Sequence, residues 1–447
     1  MKIRARERIA RIRRRLGNSF TPGSSSRYNR EPARSVAGGR NVTDDYDFRA
    51  TERRRARELD ELEARRLRAR ERQRAQLRAA HRRRRLTVLG VLGLVIGVAS
   101  GAWVWTSGKP TVARPPVAPV KKTAPVVKPA WRTMPAVTRG IHVSEPWAGK
   151  PGFLDQVLAT PKLNLVELDV KDENGEVSGL GARTPALAKR YGAVRDYYDL
   201  AQATRVAHEH GIWVVARIVS FKDPIVAKAD HAIAIHEVNG STWHDTNGVP
   251  WLNEYSPGAY AYLISLAKAA ARAGVDEIQF DYVRFPSDRP FSTMRFVGKR
   301  KEPINAVIPH FLAVARAALT PFHVKIGVDV FGLAADHDLG IGQDISLIGK
   351  HVDVISPMLY PNHYTAGELG ISDPNADPSQ TVALSMGTFR AQLLGSPNVK
   401  IRPWLQDFGG YGLSQVRAQT NAAIQQGASG WMLWDAAMDY NWGAFAR

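Results

Sequence analysis

The sequence predicts an α/β fold, a (β/α)8 TIM barrel, preceded by a basic N-terminal tail, one transmembrane helix and a Pro-rich linker. Three observations carry this. Eight apolar, β-rich runs alternate with helical patterns over the last 310 or so of the 447 residues. Polar and charged residues gather at the carboxyl ends of those runs, where open and closed parallel sheets place their chemistry. A charge-free run of 21 residues separates all of this from an Arg-rich beginning. An open doubly wound sheet is the alternative, but the Gly-rich phosphate loop that usually follows its early strand is absent.

The formal charge of +20 is unevenly spread. Residues 1–85 hold 28 Lys+Arg and 11 Asp+Glu, so the basic character belongs to the tail. A pI of 10.2 therefore does not mark a nucleic-acid-binding domain, and no nucleic-acid partner is expected. From residue 56 to 85 the charges intermix at helical spacing, which fits a solvated cytoplasmic helix or a disordered tail. Binding of that tail to anionic lipid headgroups is the sharper reading. Residues 86–106 are long enough to span a bilayer at about 1.5 Å per residue. Arg82–Arg85 precede them and Trp103 and Trp105 sit near their far end, the positive-inside pattern with an aromatic anchor. The remainder is then expected outside the cytoplasm, on a single-pass cell-membrane anchor. Residues 107–137 carry seven prolines and are expected to be a linker that favours extended polyproline II, which at roughly 3.1 Å per residue would span on the order of 90 Å. The barrel is expected over 138–447. With no cysteine, disulfides, thiolate metal sites and a cysteine nucleophile are excluded.

Strands are expected near 140–143, 164–170, 212–219, 277–283, 324–330, 352–359, 400–405 and 430–434, with helices such as 199–210 and 259–273 between them. Side chains alternate along a strand, so parity assigns faces. On the second strand Val166, Leu168 and Val170 share one face, and Glu167, Asp169 and Lys171 the other. Three ionisable groups cannot cheaply face a packed helix layer, so they are expected toward the barrel axis. On the fourth, Gln279 and Asp281 point in, while Ile278, Phe280 and Tyr282 point out. Gly327 and Asp329 share a face on the fifth, as do Arg402, Trp404 and Gln406 on the seventh. Arg217 interrupts an otherwise apolar third strand. His142 ends the first strand, Tyr360 and His363 follow the sixth, and Trp434 and Asp435 close the last.

The run from Glu277 through Asp281, Tyr282 and Arg284 to Pro286 is the most informative: a buried strand ending in a carboxylate, an aromatic and a guanidinium, stopped by proline. Several acids on different strands, with arginine and aromatics nearby, exceed what packing requires. Paired carboxylates with tryptophans suit sugar chemistry: one protonates a leaving oxygen while the other attacks or activates water. Asp281 is the expected nucleophile or base, Asp329 the general acid, and Asp169 with Arg217 the floor of the site. Arg284, Tyr360, Gln406 and Asp435 are expected to contact sugar hydroxyls or orient the carboxylates, with His142, Glu167 and Lys171 beside them. Aromatic stacking candidates are Trp147, Trp243, Trp251, Trp404 and Trp434. Adjacent strands lie roughly 4.8 Å apart, so Asp281 and Asp329 fit either a retaining or an inverting separation. No His-Glu-x-x-His helix or Gly-x-Ser-x-Gly elbow is present, so no metal, other cofactor or serine esterase is expected.

The runs Gly140-Ile141-His142-Val143, Val166 to Gly175 (VELDVKDENG), Phe280 to Pro286 (FDYVRFP) and Ile355 to Pro361 (ISPMLYP) resemble the putative glycoside hydrolase domain family of bacterial TIM barrels. The resemblance spans about 138–443. It implies a membrane-anchored glycosidase acting on a cell-surface or cell-wall polysaccharide. It also implies a likeness to barrels in which an Asp ending the fourth strand is the nucleophile, the position Asp281 occupies. Asp329 matches less well, since such barrels often carry Glu there. A non-catalytic glycan-binding or wall-organising protein on the same barrel is the rival expectation.

Overall fold

The computed structural model describes residues 132–298 and 302–446. The Arg-rich tail, the apolar run 86–106 and most of the linker lie outside the described residues. Eight parallel strands close into a ring. They are β1 (Thr138–Val143), β2 (Leu165–Lys171), β3 (Trp213–Val219), β4 (Glu277–Asp281), β5 (Lys325–Phe331), β6 (Val354–Leu359), β7 (Lys400–Ile401 and Trp404–Gln406) and β8 (Gly430–Trp434). Each pairs with its neighbour in sequence, and β1 pairs with both β8 and β2, which completes the closure. All eight fall where the apolar runs predict them. The ring is a (β/α)8 barrel.

Helices occupy the connections, and local signals set their starts. Ser256 accepts the Ala259 N–H and Pro257 sits in the first turn of Pro257–Arg272; Asp377 and Pro378 do the same for Pro378–Gln392. These helices bury one face on the barrel's outer wall: Leu263, Leu266 and Ala270 are covered in the first, Val382, Met386 and Phe389 in the second. Each fully buried Leu, Val, Met or Phe among them contributes about 1.5–3 kcal/mol. Among the described residues one helical stretch, Ile304–Phe322, is long and apolar enough to cross a membrane. It is the crossover between β4 and β5, with Val307, Phe311, Leu312 and Ala315 buried.

The barrel interior is filled rather than hollow. Leu165, Trp213, Val215, Trp404 and Met432 form an apolar plug. Polar residues thread through it in one hydrogen-bonded series. Arg402 contacts both carboxylate oxygens of Glu277 at 2.6 and 3.1 Å and the Gln279 side-chain Oε1 at 2.8 Å, and Gln279 Nε2 donates to Asp329 at 2.6 Å. Gly327 gives them room, because a Cβ there would lie 2.6 Å from both the Glu277 and Gln279 side-chain oxygens.

Two short strands, Val177–Gly179 and Val194–Asp199, extend the sheet beside β2. A two-stranded ribbon, His236–Glu237 with Met294–Arg295, ties the loop after β3 to the loop after β4.

Candidate active site

Parity places the acids of β2, β4 and β5 toward the axis, and the contacts follow. Arg217, mid-β3, joins the acids of the flanking strands. Its Nη1 lies 2.7 Å from Asp169 Oδ1, and its Nη2 and Nε lie 2.6 and 3.0 Å from Asp281 Oδ2. His142 Nε2 lies 2.9 Å from the other Asp169 oxygen, and its ring stacks on Trp434 at 4.3 Å. Burial pushes the Asp169 carboxyl up, but Arg217 and His142 together hold it below the usual carboxylate range. Asp169 is therefore an anion hydrogen-bonded by Arg217 with the His142 ring close by, and it anchors Arg217 beneath Asp281.

β4 stops at Asp281, and Tyr282 adopts a left-handed backbone with φ 46°. A bulky residue there stores strain, of the kind found at functional sites. The turn lets the Tyr282 N–H donate to Asp281 Oδ1 at 2.6 Å. Asp281 is thus held by Arg217 on one oxygen and by backbone on the other. At 7% exposure it still lines a cavity of about 470 Å³ with Tyr282, Arg284, Phe331, Met358 and His363. Tyr282 was expected to point outward; the end of the strand turns it into the cavity wall instead.

Other expectations need correction. Asp329 is 2% exposed and does not line the cavity; its Oδ1 accepts from Gln279 and from Trp404 Nε1, both at 2.6 Å. Burial, then the Asp281 charge, pushes its pKa well up, which favours the protonated form. Trp404 is spent on that bond and is buried. Glu167 also faces inward, fully buried and with neither carboxylate oxygen bonded; burial and then Asp329 push its pKa well up. Lys171 is not in the site. The β2 register slips between Asp169 and Lys171, so Lys171 pairs opposite Ile218 on the outer face. There its Nζ reaches the Val219 carbonyl at 2.8 Å and Asp223 at 3.1 Å, fully buried. Gln406 is buried and ties backbones together, accepting from Asn362 N–H and donating to the Phe408 carbonyl. Tyr360 is buried against His363 and Phe408, and Asp435 caps the Ala437 N–H. Trp243 and Trp251 are buried, so of the stacking candidates Trp147 and Trp434 alone keep an open edge.

Two acids escaped the strand-based reading because they lie in loops. Glu173, after β2, is 43% exposed, and its Oε2 lies 3.6 Å from Arg217 Nη2. The same nitrogen contacts Asp281 Oδ2 at 2.6 Å, which bounds the separation of the two carboxylates to about 6 Å. Glu145, two residues past β1, is 2% exposed, and burial followed by the Asp169 charge pushes its pKa up to about 10. The one sequence signal for Glu173 is its place in the acidic DENG turn that follows β2.

Fold and site together define a (β/α)8 barrel with a clamped carboxylate at the carboxyl ends of its strands. The chain belongs to the family described as "Putative glycosyl hydrolase domain", whose model matches residues 140–440. Among solved structures it is similar to a hypothetical protein from Ruminiclostridium thermocellum, at 33% identity over 42% of this chain and 97% of that one, TM-score 0.38. It is also similar to the PgaB (BpsB) glycoside hydrolase domain from Bordetella bronchiseptica, at 12% identity over 69% and 95%, TM-score 0.49. The glycoside hydrolase domain of PelA from Pseudomonas aeruginosa shows 12% identity over 69% and 97%, TM-score 0.41. No curated protein matches the chain.

Proposed function

We propose that the barrel hydrolyses a glycosidic bond in a cell-surface or cell-wall polysaccharide, with Asp281 as the nucleophile or base. The observation that carries this reading is the clamping of Asp281 by Arg217 and the Tyr282 N–H while it still opens on the cavity. A carboxylate fixed by donors on both oxygens is held for attack or for activating water. Glu173 takes the role of acid in place of the sealed Asp329: it is solvent-accessible and stands within about 6 Å of Asp281 across Arg217. Glu173 protonates the leaving oxygen as the C1–O bond breaks, and Asp281 either bonds to C1 or takes a proton from the incoming water. The reaction needs water as its only co-reactant. Residues 86–106 would hold the barrel outside the cytoplasm, with the Arg-rich tail available to anionic lipid headgroups.

The test is product analysis of polysaccharides treated with the protein and with Asp281→Asn. Hydrolysis should fall at least about 100-fold in the variant with folding unchanged. Undiminished product from Asp281→Asn removes the residue from the mechanism.

A further inference from the structure

The cavity that Asp281 lines also holds a cation that forms no ion pair. Arg284 makes one hydrogen bond, from Nη1 to the Phe285 carbonyl at 3.0 Å. Its guanidinium otherwise lies over three rings, Phe331 at 4.6 Å, Trp251 at 5.0 Å and Tyr282 at 5.2 Å. No carboxylate among the described residues forms an ion pair with it. Glu254 is buried and forms no ion pair with it, and burial pushes its pKa well up. The Asp288 carboxylate accepts from the Thr246 N–H and hydroxyl, both at 2.6 Å, and forms no ion pair with Arg284. A second cation, Lys222, also lies over the Tyr282 ring at 4.9 Å and likewise has no carboxylate partner among the described residues.

Aromatic faces offset a buried positive charge in part, by about 0.5–2 kcal/mol, and do not neutralise it. The rest of the wall (Phe331, Leu333, Leu339, Met358) supplies no anion. Asp281 is already committed to Arg217. A neutral sugar entering this cavity would strip water from Arg284 and return nothing for its charge. A planar guanidinium fork matches a carboxylate or phosphate bidentately.

We propose that the glycan recognised here carries an anionic substituent, bound by Arg284 and supported by Lys222. This rests on the reading of the cavity as the substrate site. It goes further by assigning the substrate to the acidic polysaccharides.

The test is calorimetric binding by the full-length protein, of oligogalacturonate, oligoglucuronate and oligomannuronate, of the same oligomers with their carboxyls reduced to hydroxymethyl groups, and of phosphorylated dextran oligomers. At least one charged oligomer should bind about tenfold or more tighter than its neutral counterpart. That preference should vanish in Arg284→Met, shrink in Lys222→Met, and collapse in the unaltered protein at high salt. The uronate and phosphate arms distinguish a carboxylate from a phosphate. Equal affinity for charged and neutral oligomers overturns the inference. So does a preference that survives Arg284→Met, or, if that variant does not fold, one that ignores salt. A charge preference without turnover of any glycan would sink the hydrolase reading and leave the anionic subsite standing. Turnover restricted to neutral glycans would do the reverse.

Discussion

Glu145 follows Ser144 just past β1 and opens the short helix Glu145–Ala148, buried with Asp169, Asp172 and Tyr198 nearby. Burial and two neighbouring acids push its pKa up to about 10, so the native state keeps a proton that the unfolded chain releases near pH 4.5. Between those values the folded protein binds the extra proton. Stability therefore falls as pH rises through that window, and the contribution is complete only below it. The variant Glu145→Gln supplies a neutral side chain of the same shape. It should gain stability over the unaltered protein as pH rises from 5 to 9, on the order of 1–3 kcal/mol at pH 8. Denaturant titrations at several pH values measure this. A constant difference between the two proteins across that range would mean that Glu145 is ionised in the fold. Nothing in the sequence distinguishes this glutamate from a solvated loop acid; its state is set by what folds over it, which periodicity does not encode.

At the scale of the element, alternation reads correctly wherever a strand is regular. Gln279 and Asp281, and Gly327 and Asp329, point inward because β4 and β5 keep their period of two, and Arg402 and Trp404 do so across the break in β7. It misreads two places where backbone geometry departs from the strand. The slip after Asp169 turns Lys171 to the outer face, and the left-handed turn at Tyr282 brings an outward residue into the cavity. The eight strands are legible because apolar runs report burial directly. The site is half legible: Asp281, Asp169, Arg217 and Arg284 stand on or next to strands, whereas Glu173 and Glu145 stand on loops whose path is set by tertiary contacts. The slipped Lys171 also has a measurable structural role. Its ammonium pairs with Asp223, which caps the helix Pro224–Ala229 by accepting the Ile225 and Val226 N–H groups. Lys171→Met should strand that carboxylate and cost about 3 kcal/mol. The cost should be smaller at pH 5 than at pH 8, because burial already raises the Asp223 pKa and a proton can replace the lost cation. Chemical denaturation at both pH values reads it, and a loss below about 0.5 kcal/mol at pH 8 would show the pair to be dispensable.

The whole molecule divides into a beginning of 28 Lys+Arg against 11 Asp+Glu and a remainder of 34 against 31. A nearly neutral barrel has no electrostatic need of its tail. It is also closed: the ring leaves no edge among its eight strands, and the C-terminal segment seals onto β1 through the Tyr440 hydroxyl donating to the His142 carbonyl at 2.7 Å. Deleting residues 1–131 removes no strand of this ring and keeps Arg132, whose guanidinium lies 3.8 Å from Asp276. The fragment 132–447 should therefore fold, and its kcat/KM on any soluble glycan that the full chain cleaves should stay within about twofold. Location should change completely. If residues 86–106 span the bilayer, the full chain stays with membranes through a carbonate wash and leaves them only with detergent, while the fragment is soluble throughout. If instead the arginines hold the protein to anionic headgroups from one side, high salt releases the full chain and the deletion of 1–85 alone reproduces the effect. Fractionation of these three forms separates the two modes of attachment, and recovery of the full chain in the soluble fraction at low salt would rule out both.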